Sequence, residues 1–162
     1  MATVIRKSPP ICLGLSVIKL ILGKLRLSRQ HVGQTIKIQD DQEFTIFRHV
    51  TCHPVHESTS TTTFIVSFKF SRLSHNANRI ASILPMLLIT GFPGFDVKIY
   101  GVNQKNGYWQ GMYQWQTKHA LEEYKKSFVF RMMNRRAITS TLMSTEYESR
   151  NLTDFIYTHT VL

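Results

Sequence analysis

The sequence predicts an α+β protein: a ferredoxin-like β-α-β-β-α-β domain that closes with a second copy into a dimeric α+β barrel, behind an N-terminal amphipathic helix and a β-hairpin. Three observations predict it. Strand and helix patterns alternate in that order from Phe64 to Glu148. Asn106-Gly107 marks a tight turn between the two middle strands. Those strands are apolar on both faces, and helices packed on one side leave a second face for another subunit.

At 162 residues, with 43% hydrophobic and 19% charged residues, the chain is long and apolar enough for one domain with a real core. It divides into a basic amphipathic segment (1–34), a hairpin with a Ser/Thr-rich loop (35–62), the ferredoxin-like domain (63–150) and a C-terminal tail (151–162). Cys12 and Cys52 alone make neither a disulfide framework nor a zinc site, which suits a reducing cytoplasm.

The net charge of +10 is uneven, because residues 1–30 hold Arg6, Lys7, Lys19, Lys24, Arg26 and Arg29 with no acid. These cations are interleaved with Leu and Ile rather than with aromatics, which favours an anionic membrane surface over nucleic acid. Lys19 interrupts the apolar run after Pro9-Pro10, so the run is a poor membrane span. On a helix, Cys12, Ser16, Lys19, Gly23 and Arg26 form one narrow small-or-polar stripe, and Leu and Ile cover the rest. That is the pattern of an interfacial helix with Lys19, Lys24, Arg26 and Arg29 at headgroup level. Packing against the domain or its mate is the competing reading.

Ile36 and Ile38, then Phe44 and Ile46, alternate around Asp40-Asp41 and predict a hairpin on the edge of the domain. The stretch 51–63 has no periodicity. Its Cys52, His53, His56 and Glu57 read as loop residues rather than metal ligands.

The domain proper starts with the strand FIVSFKF. A helix capped at Asn76 or Asn78 follows, with a kink or break expected at Pro85. The second strand sets Tyr100 opposite Phe95, Val97 and Ile99, and the third sets Trp109, Tyr113 and Trp115 opposite Met112. A long helix from Thr117 to Arg136 and a strand ending near Glu148 complete the order.

The run 91–134 resembles the antibiotic-biosynthesis-monooxygenase type of dimeric α+β-barrel protein. The resemblance rests on Pro93-Gly94-Phe95 entering the second strand, Trp115 closing the third, Thr117-Lys118 with Ala120 opening the helix, and Lys126-Ser127 late in it. It implies a homodimer around an apolar pocket. The activity it implies is cofactor-free monooxygenation of a small aromatic or lipophilic compound; non-catalytic binding of such a ligand and a scaffold at a membrane are the alternative readings. In the haem-degrading branch, the Trp and iron-binding His positions fall on Tyr124 and Asn134 here, so haem is disfavoured and no cofactor is expected. No hydrolase triad, phosphate loop, dinucleotide fingerprint or zinc signature appears. Trp109, Tyr113, Trp115 and Tyr124 are the pocket candidates, with Lys69 or Asn134 as polar handles, and no catalytic residue is identified. His119 and the cluster Lys125, Lys126, Arg131, Arg135, Arg136 read as solvated helix surface. The expected location is cytoplasmic, peripheral to the membrane.

Overall fold

The computed structural model describes residues 8–38, 42–55, 61–72, 74–148 and 150–161. The expected turn at Asp40-Asp41, and His56 and Glu57, lie outside the described residues, as do Arg6 and Lys7.

The core has the predicted order. Strands β4 (Thr62–Phe68), β5 (Phe95–Val102), β6 (Trp109–Trp115) and β7 (Met143–Glu148) pair antiparallel in the spatial order β5-β6-β4-β7. The hairpin of β2 (Thr35–Ile38) and β3 (Gln42–Cys52) joins this sheet through β3, which lies beside β5. A further strand, β1 (Leu25–Ser28), pairs with the far end of β3. Sequence patterning does not single it out, because four residues are too few to show alternation.

Both expected helices are broken. The first divides at Ser82 into α2 (His75–Ala81) and α3 (Ile83–Thr90), and Ser74 rather than an asparagine caps α2. The break precedes Pro85 by one turn because proline brings no N–H to the carbonyl four residues earlier. That carbonyl belongs to Ala81 and accepts from Arg136 Nη1 instead. The second helix divides at Lys126–Ser127 into α4 (Lys118–Lys125), capped by Thr117, and α5 (Phe128–Arg136), capped by Ser127.

Helices α3, α4 and α5 cover one sheet face, burying Phe64, Val66, Trp109, Tyr113 and Trp115 with Leu88, Leu121, Tyr124 and Val129. The other face was expected to need a second subunit. Within the chain it is covered by α6 (Leu152–His159), formed from the expected tail. Leu152, Phe155 and Ile156 close over Ile65, Val97, Ile99 and Met112, together with Ile36, Phe44 and Ile46 from the hairpin. Two hydrogen bonds tie the ends of this segment: Leu152 N donates to the side-chain Oε1 of Gln114 (2.9 Å) and Val161 N to Thr35 O (2.9 Å). The bare-face argument for dimerisation therefore fails.

The N-terminal helix α1 (Pro9–Ile21) is inverted relative to an ordinary surface helix. Its small-polar stripe faces inward: Cys12 and Ser16 are buried, Ser16 bonds Leu87 O and Thr90 Oγ1, and Lys19 Nζ donates to Thr90 O (2.8 Å). Gly91 makes this closeness feasible, since a Cβ there would lie 1.8 Å from Cys12 O. Val17, Ile18, Leu20, Ile21 and Leu22 face outward, with Ile21 78% and Leu22 62% exposed. Among the described residues no helix is long and apolar enough to cross a membrane.

Candidate functional site

Between α3, α5 and the sheet lies a slot of about 40 Å³, lined by Phe68, Phe70, Lys98, Tyr100, Trp109 and Tyr113, with Met133 and Arg136 on the helical side. A space of that size holds a few water molecules. Among the described residues its lining contains no carboxylate.

Lys98 is the singular residue. It sits mid-strand on β5, is only 2% exposed, and rests its Nζ over the rings of Tyr100 (4.3 Å) and Tyr113 (4.5 Å). Burial first, and then the charge of Arg48, pull its amine well below the ordinary lysine range. Arg48 stacks on Tyr100 (5.3 Å) and is itself anchored, donating to Ser82 Oγ (2.7 Å) and Arg79 O (3.0 Å). The Tyr100 hydroxyl is buried without a hydrogen-bond partner, and burial raises its pKa well above the phenol range, Tyr113 adding to the shift and Arg48 opposing it. Burial likewise holds Tyr113 protonated, with Tyr124 adding to the effect.

The sequence candidates separate into three groups. Trp109 and Tyr113 line the slot, with Trp109 Nε1 donating to His75 Nδ1 (3.1 Å) and Tyr113 OH pointing at Met133 Sδ (3.8 Å). Trp115 and Tyr124 form the packed layer behind it, stacked at 4.8 Å, and Trp115 Nε1 is buried with no partner. Lys69 and Asn134 lie outside the lining: Lys69 Nζ covers Tyr108 (4.8 Å), and the Asn134 carbonyl ends α5 by accepting from Ala137 N. Neither is a handle on the slot.

Sequence patterning points away from Lys98 for a specific reason. Strict alternation puts Asp96, Lys98 and Tyr100 on one face, where Asp96 reads as the partner of the lysine. The ladder slips between Phe95 and Val97, and Asp96 accepts instead from Gln116 Nε2 (3.0 Å). Phe95 thereby joins Trp115 on the helix-covered face. The legible signal was a lysine in the middle of a strand buried along its whole length.

These residues do not fit a haem held as in the haem-degrading branch. Asn134 offers an amide where that branch has an imidazole, and Tyr124 is fully buried in packing.

Of the membrane-contact candidates, Lys24, Arg26 and Arg29 are exposed, Arg26 beside His31 and His49 on the face that α6 covers, whereas Lys19 is turned inward.

No family model matches the sequence, and no curated protein matches it. Solved structures do. An uncharacterised ferredoxin-fold protein from Listeria monocytogenes 4b F2365, related to antibiotic biosynthesis monooxygenases, is 7% identical with a TM-score of 0.54 over 79% of this chain and 93% of that one. A monooxygenase-like protein from Listeria innocua is 8% identical with a TM-score of 0.53 over 71% and 68%. A candidate monooxygenase from Fusobacterium nucleatum is 10% identical with a TM-score of 0.48, over 66% of this chain and 49% of that one, so the match spans about half its length. At these identities the likeness is one of fold. The chain has the ferredoxin-like fold of antibiotic-biosynthesis-monooxygenase-like proteins.

Proposed function

We propose that this chain is a monooxygenase-like enzyme of cofactor-independent type, acting on a small aromatic or lipophilic compound with a weakly acidic O–H or C–H, and that Lys98 is its proton acceptor. One observation carries the reading: a buried lysine without a carboxylate, set among aromatic rings at a cleft between sheet and helices. Burial favours the uncharged amine, the form in which a lysine acts as a general base.

Taking the proton leaves an enolate or phenolate beside the Lys98 ammonium, with Arg48 adding positive potential behind Tyr100. The electron-rich anion then reduces dioxygen. For a methylene flanked by conjugating groups, one molecule of dioxygen converts the methylene to a ketone and leaves as one ketone oxygen and one water. The two methylene hydrogens end in that water, so the substrate supplies all the electrons. The rings of Phe68, Phe70 and Trp109 exclude water from the anion. Admission of a substrate ring requires Met133 to swing aside, a movement its unbranched chain tolerates.

Anaerobic titration with 2-naphthol tests this. The wild type should convert bound naphthol to naphtholate near pH 8, seen as a red-shifted absorbance, and Lys98→Met should lose that conversion by about tenfold or more. Equal conversion by a folded Lys98→Met protein would dismiss the base. Naphtholate formation without oxygen uptake on aeration would favour the non-catalytic binder.

The second part of the reading is attachment to an anionic membrane surface. What supports it is the outward apolar side of α1, together with the exposed Lys24 and Arg29 in a stretch that holds no acid before Asp40. Sedimentation with phosphatidylcholine vesicles, with and without phosphatidylglycerol, tests it. Binding that requires the anionic lipid supports the attachment, while association of the protein only with itself assigns the same surface to a second copy.

A further inference from the structure

A second cavity lies on the opposite sheet face, and it is far larger than the slot. It measures about 480 Å³, within the range of small-molecule sites. It opens where β1, β3 and β5 meet the first turn of α6.

Its floor is apolar, formed by Val97, Ile99 and Leu152, all buried. One wall is polar. His49 is 6% exposed there, its Nδ1 has no hydrogen-bond partner, and its Nε2 stands 3.4 Å from Thr51 Oγ1. The ring of His31 stacks on that of His49, with centroids 5.2 Å apart, which makes a flat surface beside the floor. At the mouth, Arg26 uses Nε to hold Gly23 O (3.1 Å), which leaves its two terminal nitrogens for an incoming group. The first turn of α6 also borders the space, through Leu152 and Thr153, and presents the positive end of that helix. Among the described residues no carboxylate belongs to the lining; Asp154 is exposed and outside it.

We infer that this cleft is a second binding site, for an amphipathic monocarboxylate. Its acid head pairs with Arg26 at the mouth, and its flat apolar body lies on Val97, Ile99 and Leu152 against the His31–His49 stack. The inference is independent of the slot. The two cavities open on opposite faces of the same sheet, with Lys98 in one lining and its strand neighbours Val97 and Ile99 in the other.

The test uses the full chain, 2-naphthoate as probe and the uncharged 2-naphthamide as its control. Calorimetry should show naphthoate binding that weakens about tenfold or more in Arg26→Gln and with the amide, the scale of one lost charged hydrogen bond. The ring resonances of His31 and His49 should move on titration. Lys98→Met should bind naphthoate as the wild type does, which separates this site from the proposed catalytic one. Arg26 is exposed, so its replacement leaves the fold intact. Equal affinity of acid and amide, indifference to Arg26→Gln, or resonance shifts confined to α1 would each overturn the inference, as would absence of binding.

Discussion

The Nζ of Lys98 lies 4.5 Å from the centre of the Tyr113 ring, so a potential cation rests on a π-face where a carboxylate is the usual partner. A π-face compensates a desolvated ammonium only in part, and the amine is cheaper to bury uncharged.

That arrangement gives stability a pH dependence. The folded pKa of Lys98 is depressed, so between that value and the ordinary lysine pKa the unfolded chain binds the extra proton and stability rises with pH. Lys98→Met should be more stable than the wild type at neutral pH, and the gain should shrink as pH approaches about 10.4. Urea denaturation at a series of pH values measures both.

His49 should act in the acid range. Burial, with the charge of His31, lowers its pKa to about 4 from 6.5. The stability it protects is complete above pH 6.5 and is lost as pH falls through the window down to about 4, by roughly 3 kcal/mol in all. A folded His49→Phe protein should lose less over that window. An unchanged acid limb would assign the loss to other groups.

Trp115→Ala should cost about 3–5 kcal/mol, because the indole is fully buried against Phe92, Phe95 and Tyr124. Asn134→Ala should stay within about 0.5 kcal/mol and leave slot binding unchanged, since only its main-chain carbonyl has a role at the end of α5. Chemical denaturation compares the two directly.

Gly111 gives the slot its own test. A Cβ there would stand 2.9 Å from Tyr113 Cε2 and 3.0 Å from its hydroxyl. Gly111→Ala should displace the Tyr113 ring, cost about 1–3 kcal/mol by overpacking, and abolish naphthol binding while naphthoate binding persists. Loss of both ligands together would indicate general damage to the sheet.

Much of the fold was legible because its signals are local. Asn106-Gly107 does sit between β5 and β6, in a loop where Gly107 takes φ +79° and donates to Asn103 O. Phe64, Trp109, Tyr113 and Trp115 do share a face. What escaped depends on contacts distant in sequence. The C-terminal residues Leu152, Phe155 and Ile156 carry a helical apolar spacing, but three residues over barely one turn do not declare which face they cover. The stripe of Cys12, Ser16 and Lys19 was visible, yet its direction was not. A polar stripe ordinarily faces water, and here the main-chain carbonyls of Leu87 and Thr90, in the last turn of α3, turn it inward. Lys98 was hidden by the bulge at Phe95, since a one-residue slip decides which neighbours a strand residue meets.

The most direct measurement is an NMR titration of the Lys98 side-chain nitrogen, assigned by its absence in Lys98→Met. An amine that loses its proton well below the ordinary lysine pKa of about 10.4, and shifts when 2-naphthol is added, is the predicted result. A resonance that titrates in the ordinary lysine range and ignores the ligand would contradict the assignment of Lys98 as the base.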